Sequence, residues 1–314
     1  MDLATASPPR VLESILEAIG RTPLVRLRLP GVPDGVEVWG KCEWFSPGGS
    51  IKDRTALSLV TEGERSGALR PGRTIIDSSS GNTAVGLALV GRAKGYPVEL
   101  VMPDSVTEER KGLCTAYGAR IIYTDAFSGS DGALRRVREM IASDSERYFY
   151  ADQYRNPANP LAHYRTTGPE IWEQTAGRVT HFVAGLGTTG TVVGTGRYLH
   201  ERDPQVRVVA VEPDEPLHGL EGLKHLPSSI VPPIWRPEGI VDRLLPMPTE
   251  EAWDAADALV TEEGLYVGHS AGAAVAGACR VARAAGPGAV VATIIPDRGE
   301  RYFGELRWEK QYVW

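Results

Sequence analysis

Thr180-His181-Phe182-Val183-Ala184-Gly185-Leu186-Gly187-Thr188-Thr189-Gly190-Thr191 passes from a short apolar run straight into glycines and threonines, and helical spacing then continues from Gly190 to Arg202. A strand, a glycine-rich turn and a helix in that order form the building unit of a parallel α/β sheet. The turn leaves the first amides of the helix free to meet an anion. The same alternation runs along the chain. Val36 to Glu43, Thr74 to Asp77, Val98 to Met102, Arg120 to Tyr123, Val206 to Val211 and Val290 to Ile295 read as further strands. Thr83 to Lys94, Glu108 to Tyr117, Asp131 to Ser143, Ala158 to Gln174, Thr249 to Glu263 and Ala271 to Ala285 have helical periodicity. The predicted fold class is α/β, built as two doubly wound α/β domains.

A chain of 314 residues exceeds the size at which one core stops growing, about 250 to 300 residues. Asn156-Pro157-Ala158-Asn159-Pro160 breaks the pattern and forces a turn, which sets a boundary near Gln153 to Pro160. We therefore expect an N-terminal segment (1–45) packing largely on the C-terminal domain, a smaller N-terminal α/β domain (46–155) and a larger C-terminal one (156–314). Asp214 to Pro237, with five prolines and little periodicity, is expected to be an ordered loop or lid. Hydrophobic residues make up 42% and charged residues 24% of the chain, values of an ordinary globular protein. A net charge of -6 without a basic tract argues against a nucleic-acid partner, which draws on clustered Lys and Arg. Cys42, Cys114 and Cys279 are too few and too scattered for a disulfide framework or a zinc cluster, so no metal is expected. The polar stretch Met1 to Arg10 lacks a secretory pattern. No apolar run approaches the roughly 20 residues of a membrane helix, so a cytoplasmic protein is expected.

Three loops admit rival readings. Gly185-Leu186-Gly187-Thr188-Thr189-Gly190, with Glu212 at about the expected 20 residues beyond, fits a dinucleotide fingerprint, so an NAD-dependent oxidoreductase is a competitor. Thr188, Thr189 and Thr191 favour a dianionic terminal phosphate instead, since they add hydroxyl donors that a bridging pyrophosphate does not need. Gly268-His269-Ser270-Ala271-Gly272 has the form of a hydrolase nucleophile elbow. That fold needs a histidine after the serine, and all six histidines lie at or before position 269. Ser79-Ser80-Gly81-Asn82-Thr83 reads as a capped helix start whose amides and hydroxyls also suit a substrate carboxylate. Lys52, in Gly48-Gly49-Ser50-Ile51-Lys52-Asp53-Arg54, would be a solvated lysine in isolation. Beside these loops it points to a lysine-bound pyridoxal phosphate.

With these stretches in hand, the sequence resembles the cysteine synthase and cystathionine β-synthase family of fold type II pyridoxal phosphate enzymes. The likeness covers nearly the whole chain, from Ile19-Gly20-Arg21-Thr22-Pro23-Leu24 to Pro296-Asp297-Arg298-Gly299-Glu300-Arg301-Tyr302, and takes in Lys41-Cys42-Glu43 and Asp152-Gln153-Tyr154-Arg155-Asn156-Pro157. The resemblance implies that Lys52 carries the cofactor as a Schiff base and acts as the catalytic base. It also implies that Asn82 bonds the cofactor's 3′ oxygen, that Gly187, Thr188, Thr189, Gly190 and Thr191 hold its phosphate, and that Ser270 meets the pyridine nitrogen. A neutral serine there cannot keep the ring nitrogen protonated as an aspartate would, which favours elimination and replacement over transamination. Ser79, Ser80, Gly81, Asn82 and Thr83 would bind the substrate carboxylate, with Gln153 closing from the other side.

Departures from the family pattern mark the branch. Ser79 stands for a usual threonine, Ala84 for a glycine, and Thr189 for the middle glycine of the phosphate loop, as in the cysteine synthase B branch. Lys224 falls where relatives that accept O-phosphoserine carry arginine, so it is a candidate for binding a substrate phosphate, or a solvated loop lysine. Lys41-Cys42-Glu43-Trp44-Phe45 and the run from Gln153 to Pro160 lean toward cystathionine β-synthase. The implied activity is L-cysteine formation by β-replacement on O-acetylserine or O-phosphoserine, with sulfide or a thiocarboxylate as donor. Homocysteine or an amine as nucleophile, and a non-catalytic regulatory homologue, are the alternatives. A homodimer is expected, with serine acetyltransferase or a sulfur-carrier protein as possible partners. His269 is left open between packing and function.

Overall fold

The computed structural model describes residues 11–302. The polar opening stretch 1–10 and the last twelve residues of the expected larger domain, 303–314, lie outside them. The chain opens with β1 (Leu24–Leu27) and β2 (Glu37–Cys42). It continues through α1 (Lys52–Arg65), β3 (Thr74–Ser78), α2 (Asn82–Lys94), β4 (Val98–Pro103), α3 (Glu108–Ala116), β5 (Arg120–Thr124), α4 (Gly129–Ser143) and β6 (Tyr148–Tyr150). Next come α5 (Ala158–Arg165), α6 (Thr167–Gln174), β7 (His181–Gly185), α7 (Gly190–Arg202), β8 (Arg207–Pro213) and β9 (Arg243–Met247). The described chain closes with α8 (Thr249–Glu263), α9 (His269–Ala285) and β10 (Val290–Ile295).

Two sheets result. One holds four parallel strands in the order β5-β4-β3-β6, and the other six strands in the order β1-β2-β10-β7-β8-β9. In the larger sheet only the β1–β2 pair is antiparallel. The first two strands thus join the last one: Val38 pairs with Val291 and Lys41 with Ile294. Every residue of β4 and of β10 is buried, as expected for strands covered by helices on both faces. Thr293, the polar residue inside β10, donates its hydroxyl to Val183 O at 2.9 Å. Cys42, Cys114 and Cys279 are free and buried, and burial pushes their thiols up to about 12, 11 and 11.

Three short strands escape the sequence pattern. β1 and β9 are edges of the larger sheet, and β9 contains Pro246, a residue that the interior of a strand tolerates mainly at a sheet edge because it cannot donate to a ladder. β6 spans three residues, too few to show a period. The run from Ala158 to Gln174, expected as one helix, is two: the chain breaks at Thr166 (φ -130°, ψ -65°). Pro169 follows in the first turn of α6 and has no N–H for the Arg165 carbonyl. Helix α1 also emerges, its apolar side carried by Ala56, Leu59 and Val60.

A cavity of about 540 Å³ lies between the sheets at the carboxyl ends of their strands, lined by Ser78, Pro103 and Tyr150 on one side and by Gly185, Ile294 and Pro296 on the other. That is where open parallel sheets place their ligands. Helix α5 closes the back of this site by lying tightly on α7: a Cβ added to Gly194 would stand 2.0 Å from the Pro160 carbonyl oxygen. Gly194→Ala is expected to cost about 1–3 kcal/mol through overpacking, seen as a lower denaturant midpoint at unchanged m value. Gly112→Ala, in the open flank of α3, should not destabilise.

Candidate active site

Lys52 is the first residue of α1, and the loop before it is bonded into the end of the larger sheet. Ile51 N–H donates to Pro296 O at 2.9 Å, and Ser50 bridges Asp297. The Ser50 hydroxyl accepts the Lys52 N–H at 3.2 Å. The lysine side chain lines the cavity, and its amine is pulled below its ordinary range by burial, against the partial opposition of the Asp297 carboxylate. A lysine so placed is neutral more of the time than a surface lysine and is better able to take a proton.

Opposite it, the turn from β7 into α7 forms an anion cradle. Thr189 caps the helix in the left-handed region (φ 71°), where a β-branched residue is out of place. Its hydroxyl is buried without a hydrogen-bond partner. Thr188 accepts from Asn159 Nδ2 at 3.0 Å, and Thr191 Oγ1 lies 3.3 Å from His163 Nε2. Both partners sit on α5 and reach the lysine helix as well, since Thr55 Oγ1 is 3.3 Å from Asn159 Oδ1 and 3.3 Å from His163 Nε2. Burial, with Arg54 and Lys52 nearby, lowers His163 well below its usual range, so it serves as a neutral hydrogen-bonding post. Gly187 has no room for a side chain, because a Cβ there would meet Gly222 O at 2.4 Å. An unpartnered buried hydroxyl, open helix amides and glycine at the crowded point fit a terminal phosphate, whose charge the helix N-terminus favours.

The other sequence-derived positions converge on the same space. Ser79, Ser80, Gly81, Asn82 and Thr83 line it from the start of α2, as do Gln153, Gly187, Thr188, Thr189, Thr191, Lys224 and Ser270. Gly190 stands behind the wall, against Asn159. Thr83 donates to Gln153 Oε1 at 2.7 Å, which leaves the Gln153 amide nitrogen as a donor for a ligand. Ser270 is the second residue of α9. Lys224 is held to the start of the glycine-threonine turn by its own N–H on Leu186 O at 2.7 Å, with its amine 5.1 Å from the centroid of the Tyr154 ring. Burial lowers its amine and Asp131 opposes the shift. Glu212, the acidic residue of a dinucleotide fingerprint, accepts the Leu226 N–H at 3.1 Å. His269 packs between Trp253 and Tyr302, with ring centroids at 5.6 and 5.5 Å.

Several residues with no motif of their own belong to the site. Asn159 and His163 brace the turn at Thr188 and Thr191. Asp297, fully buried, accepts from Asn82 Nδ2 at 2.5 Å and from the Tyr302 hydroxyl at 2.6 Å. Asn159 and Asp297 stand in stretches already marked as family-like, but only the fold shows what they touch.

The pyridoxal-phosphate dependent enzyme family matches residues 15–297. The chain belongs to that family. Its members are pyridoxal phosphate enzymes, so a lysine, a phosphate cradle and a neutral serine around one cavity have a common explanation. A cysteine synthase from Aquifex aeolicus is 48% identical over 296 residues, covering 92% of this chain and 90% of that protein. Cysteine synthase B from Salmonella typhimurium is 43% identical, over 94% of this chain and 97% of its own. Among solved structures, a cysteine synthase from Entamoeba histolytica superposes with a TM-score of 0.93 at 35% identity, over 98% of this chain and 94% of that one. The fold is that of these fold type II pyridoxal phosphate enzymes.

The threonine at the left-handed cap of α7 generates a prediction. Left-handed backbone costs a non-glycine residue roughly 1–2 kcal/mol, whereas a glycine adds about 0.4–1 kcal/mol of unfolded-state entropy. Thr189→Gly is therefore expected to stabilise the cofactor-free protein by up to about 1 kcal/mol while weakening cofactor binding through the lost hydroxyl. Thermal unfolding of the stripped protein and a cofactor titration check the two halves.

Proposed function

We propose that this enzyme makes L-cysteine by β-replacement on O-acetyl-L-serine or O-phospho-L-serine, taking sulfur from sulfide or a thiocarboxylate. What carries the proposal is the meeting of the Lys52 amine, lowered by burial, and the unpartnered Thr189 hydroxyl in one cavity with Thr83 and Gln153. The cofactor would lie between two α/β domains divided near residue 155; of the segment before residue 46, β1 and β2 join the larger sheet, while Leu16 and Ile19 pack on the core of the smaller domain. The cysteine synthases at 48% and 43% identity support the product. No helix among the described residues is long and apolar enough to cross a membrane. We assign the protein to the cytoplasm as a homodimer, with a sulfur-carrier protein as partner if the donor is a thiocarboxylate.

Lys52 would hold the cofactor, the turn from Gly187 to Thr191 its phosphate, Asn82 its 3′ oxygen and Ser270 its ring nitrogen. When bound, pyridoxal phosphate supplies an electron sink for the charge that develops at the substrate α carbon. The Lys52 amine removes the α proton and later returns it at the same carbon. Ser79, Ser80, Gly81, Asn82 and Thr83 bind the substrate carboxylate at the start of α2, where free amides favour an anion. Gln153, braced by Thr83, donates from the facing wall. Lys224 places a positive charge near the mouth, suited to a phosphate leaving group although without the fork of an arginine.

Borohydride reduction followed by peptide mapping is expected to find the cofactor on the peptide carrying Lys52, and Lys52→Ala to lose the visible absorbance of the purified protein. Turnover assays pair O-acetylserine and O-phosphoserine with sulfide, thiocarboxylate and homocysteine. No consumption of either ester would overturn the proposal, and cystathionine as the main product would replace cysteine.

If Lys224 binds the substrate phosphate, Lys224→Ala should raise KM for O-phosphoserine by about tenfold or more, the cost of one lost charge-assisted bond. O-acetylserine should be little affected. Equal changes for both esters remove that role.

A further inference from the structure

Asn82 is held on two sides by charged residues from one short segment. Its Nδ2 donates to Asp297 Oδ2 at 2.5 Å, and its Oδ1 accepts from Arg301 Nη1 at 2.5 Å. Arg301 has only donors and therefore faces the amide oxygen. Asp297 Oδ2 already accepts from the Tyr302 hydroxyl at 2.6 Å and so faces the amide nitrogen. Turning the carboxamide over would bring N–H against guanidinium and C=O against carboxylate. Only one orientation satisfies both neighbours, and it leaves one Nδ2 hydrogen for the cavity that Asn82 lines.

The segment supplying these groups is itself fixed. Asp297 bridges Ser50 in the loop before Lys52, Arg298 bridges Val267 in the approach to Ser270, and Gly299 N–H donates to Tyr266 O at 3.2 Å. Arg301 also donates to Gly48 O. One stretch between Pro296 and Tyr302 thereby touches the lysine loop, the start of α2 and the loop before α9. Arg301 is half-buried, whereas Asp297 is fully buried.

We propose that Arg301 and Asp297 are positioning residues that lock the Asn82 carboxamide as a hydrogen-bond donor toward the cofactor and tie it to the lysine loop. This rests on the assignment of Asn82 to the cofactor's 3′ oxygen made above. Neither residue takes part in proton transfer. Their effect is exerted through Asn82, so it must vanish when the Asn82 side chain is removed.

A double-mutant cycle on cofactor affinity tests this, using stripped protein titrated with pyridoxal phosphate and followed by absorbance. Arg301→Gln is the primary variant because its half-exposed position tolerates substitution, and Asp297→Asn, which keeps the shape of the buried group, is the second. We expect Arg301→Gln to weaken binding about tenfold and to shift the absorbance of bound cofactor in the Asn82 protein. In the Asn82→Ala background the further loss should be less than about twofold, the mark of coupled neighbours. Equal losses in both backgrounds would show a purely structural role and overturn the proposal. Borohydride mapping of the wild type separates the two layers. A labelled Lys52 with an additive cycle sinks only the positioning role, whereas an unlabelled Lys52 sinks the cofactor assignment and this inference together.

Discussion

The Arg54 guanidinium is the anchor on which the arrangement of the site depends. Two residues beyond Lys52 on α1, it meets Glu43 at 2.7 Å and Glu170 at 2.6 Å, and Lys41 joins Glu170 at 2.7 Å. Thr22 and Gln174 take up the remaining donors, with Lys41 Nζ on Thr22 O at 2.6 Å and on Gln174 Oε1 at 2.9 Å. Burial alone would raise the Glu170 carboxyl, yet Arg54 and Lys41 hold it down at about 2. Such a cluster adds little net stability over an apolar substitute, but removing one member strands the others at about 3–5 kcal/mol. What it contributes is geometry. It joins the lysine helix to β2 and α6, so the position of α1 over the larger sheet is set by charge pairing that a sliding contact could not satisfy.

Much of this was legible in the sequence because the informative segments are local. The fully buried strands β4 and β10 announce themselves as nearly continuous apolar runs, and β7 and β8, buried over most of their length, nearly so. The turn at Gly187 to Thr191 shows in its own composition the hydroxyls and glycines that suit an anion. Strands without that signature were lost: β9 carries a proline at an edge, and β6 is three residues long. The break at Thr166 depends on one missing N–H inside an otherwise helical pattern. In the site, the residues that line the cavity sit in recognisable loops, whereas those that brace them do not. Asn159 and His163 matter because α5 crosses α7 at Gly194, and Asp297 matters because β10 ends beside Ser50. Such long-range contacts leave no periodicity to read.

A division of labour between the two walls of the cavity follows. The wall from the larger sheet presents glycine, threonine and serine at helix starts and suits a fixed anionic ligand that seldom leaves. The wall from the four-stranded sheet presents Ser79 to Thr83 and faces Gln153 through a single short hydrogen bond, a contact that is easily exchanged for one to a substrate. Charged side chains also line the cavity, among them Asp131, Arg138, Asp152, Arg155, Glu221 and Lys224, and Asp297 lies buried behind Asn82.

The insertion of β10 between β2 and β7 also bears on how the chain is made. The four strands from Thr74 to Tyr150 can pair as soon as they leave the ribosome, with neighbours close in sequence. The six-stranded sheet must hold β2 unpaired on one edge until the last described strand is synthesised, about 250 residues later by the numbering of the two strands. Until then the edge of β2 that β10 will cover is open, the kind of unpaired edge that invites pairing with another chain.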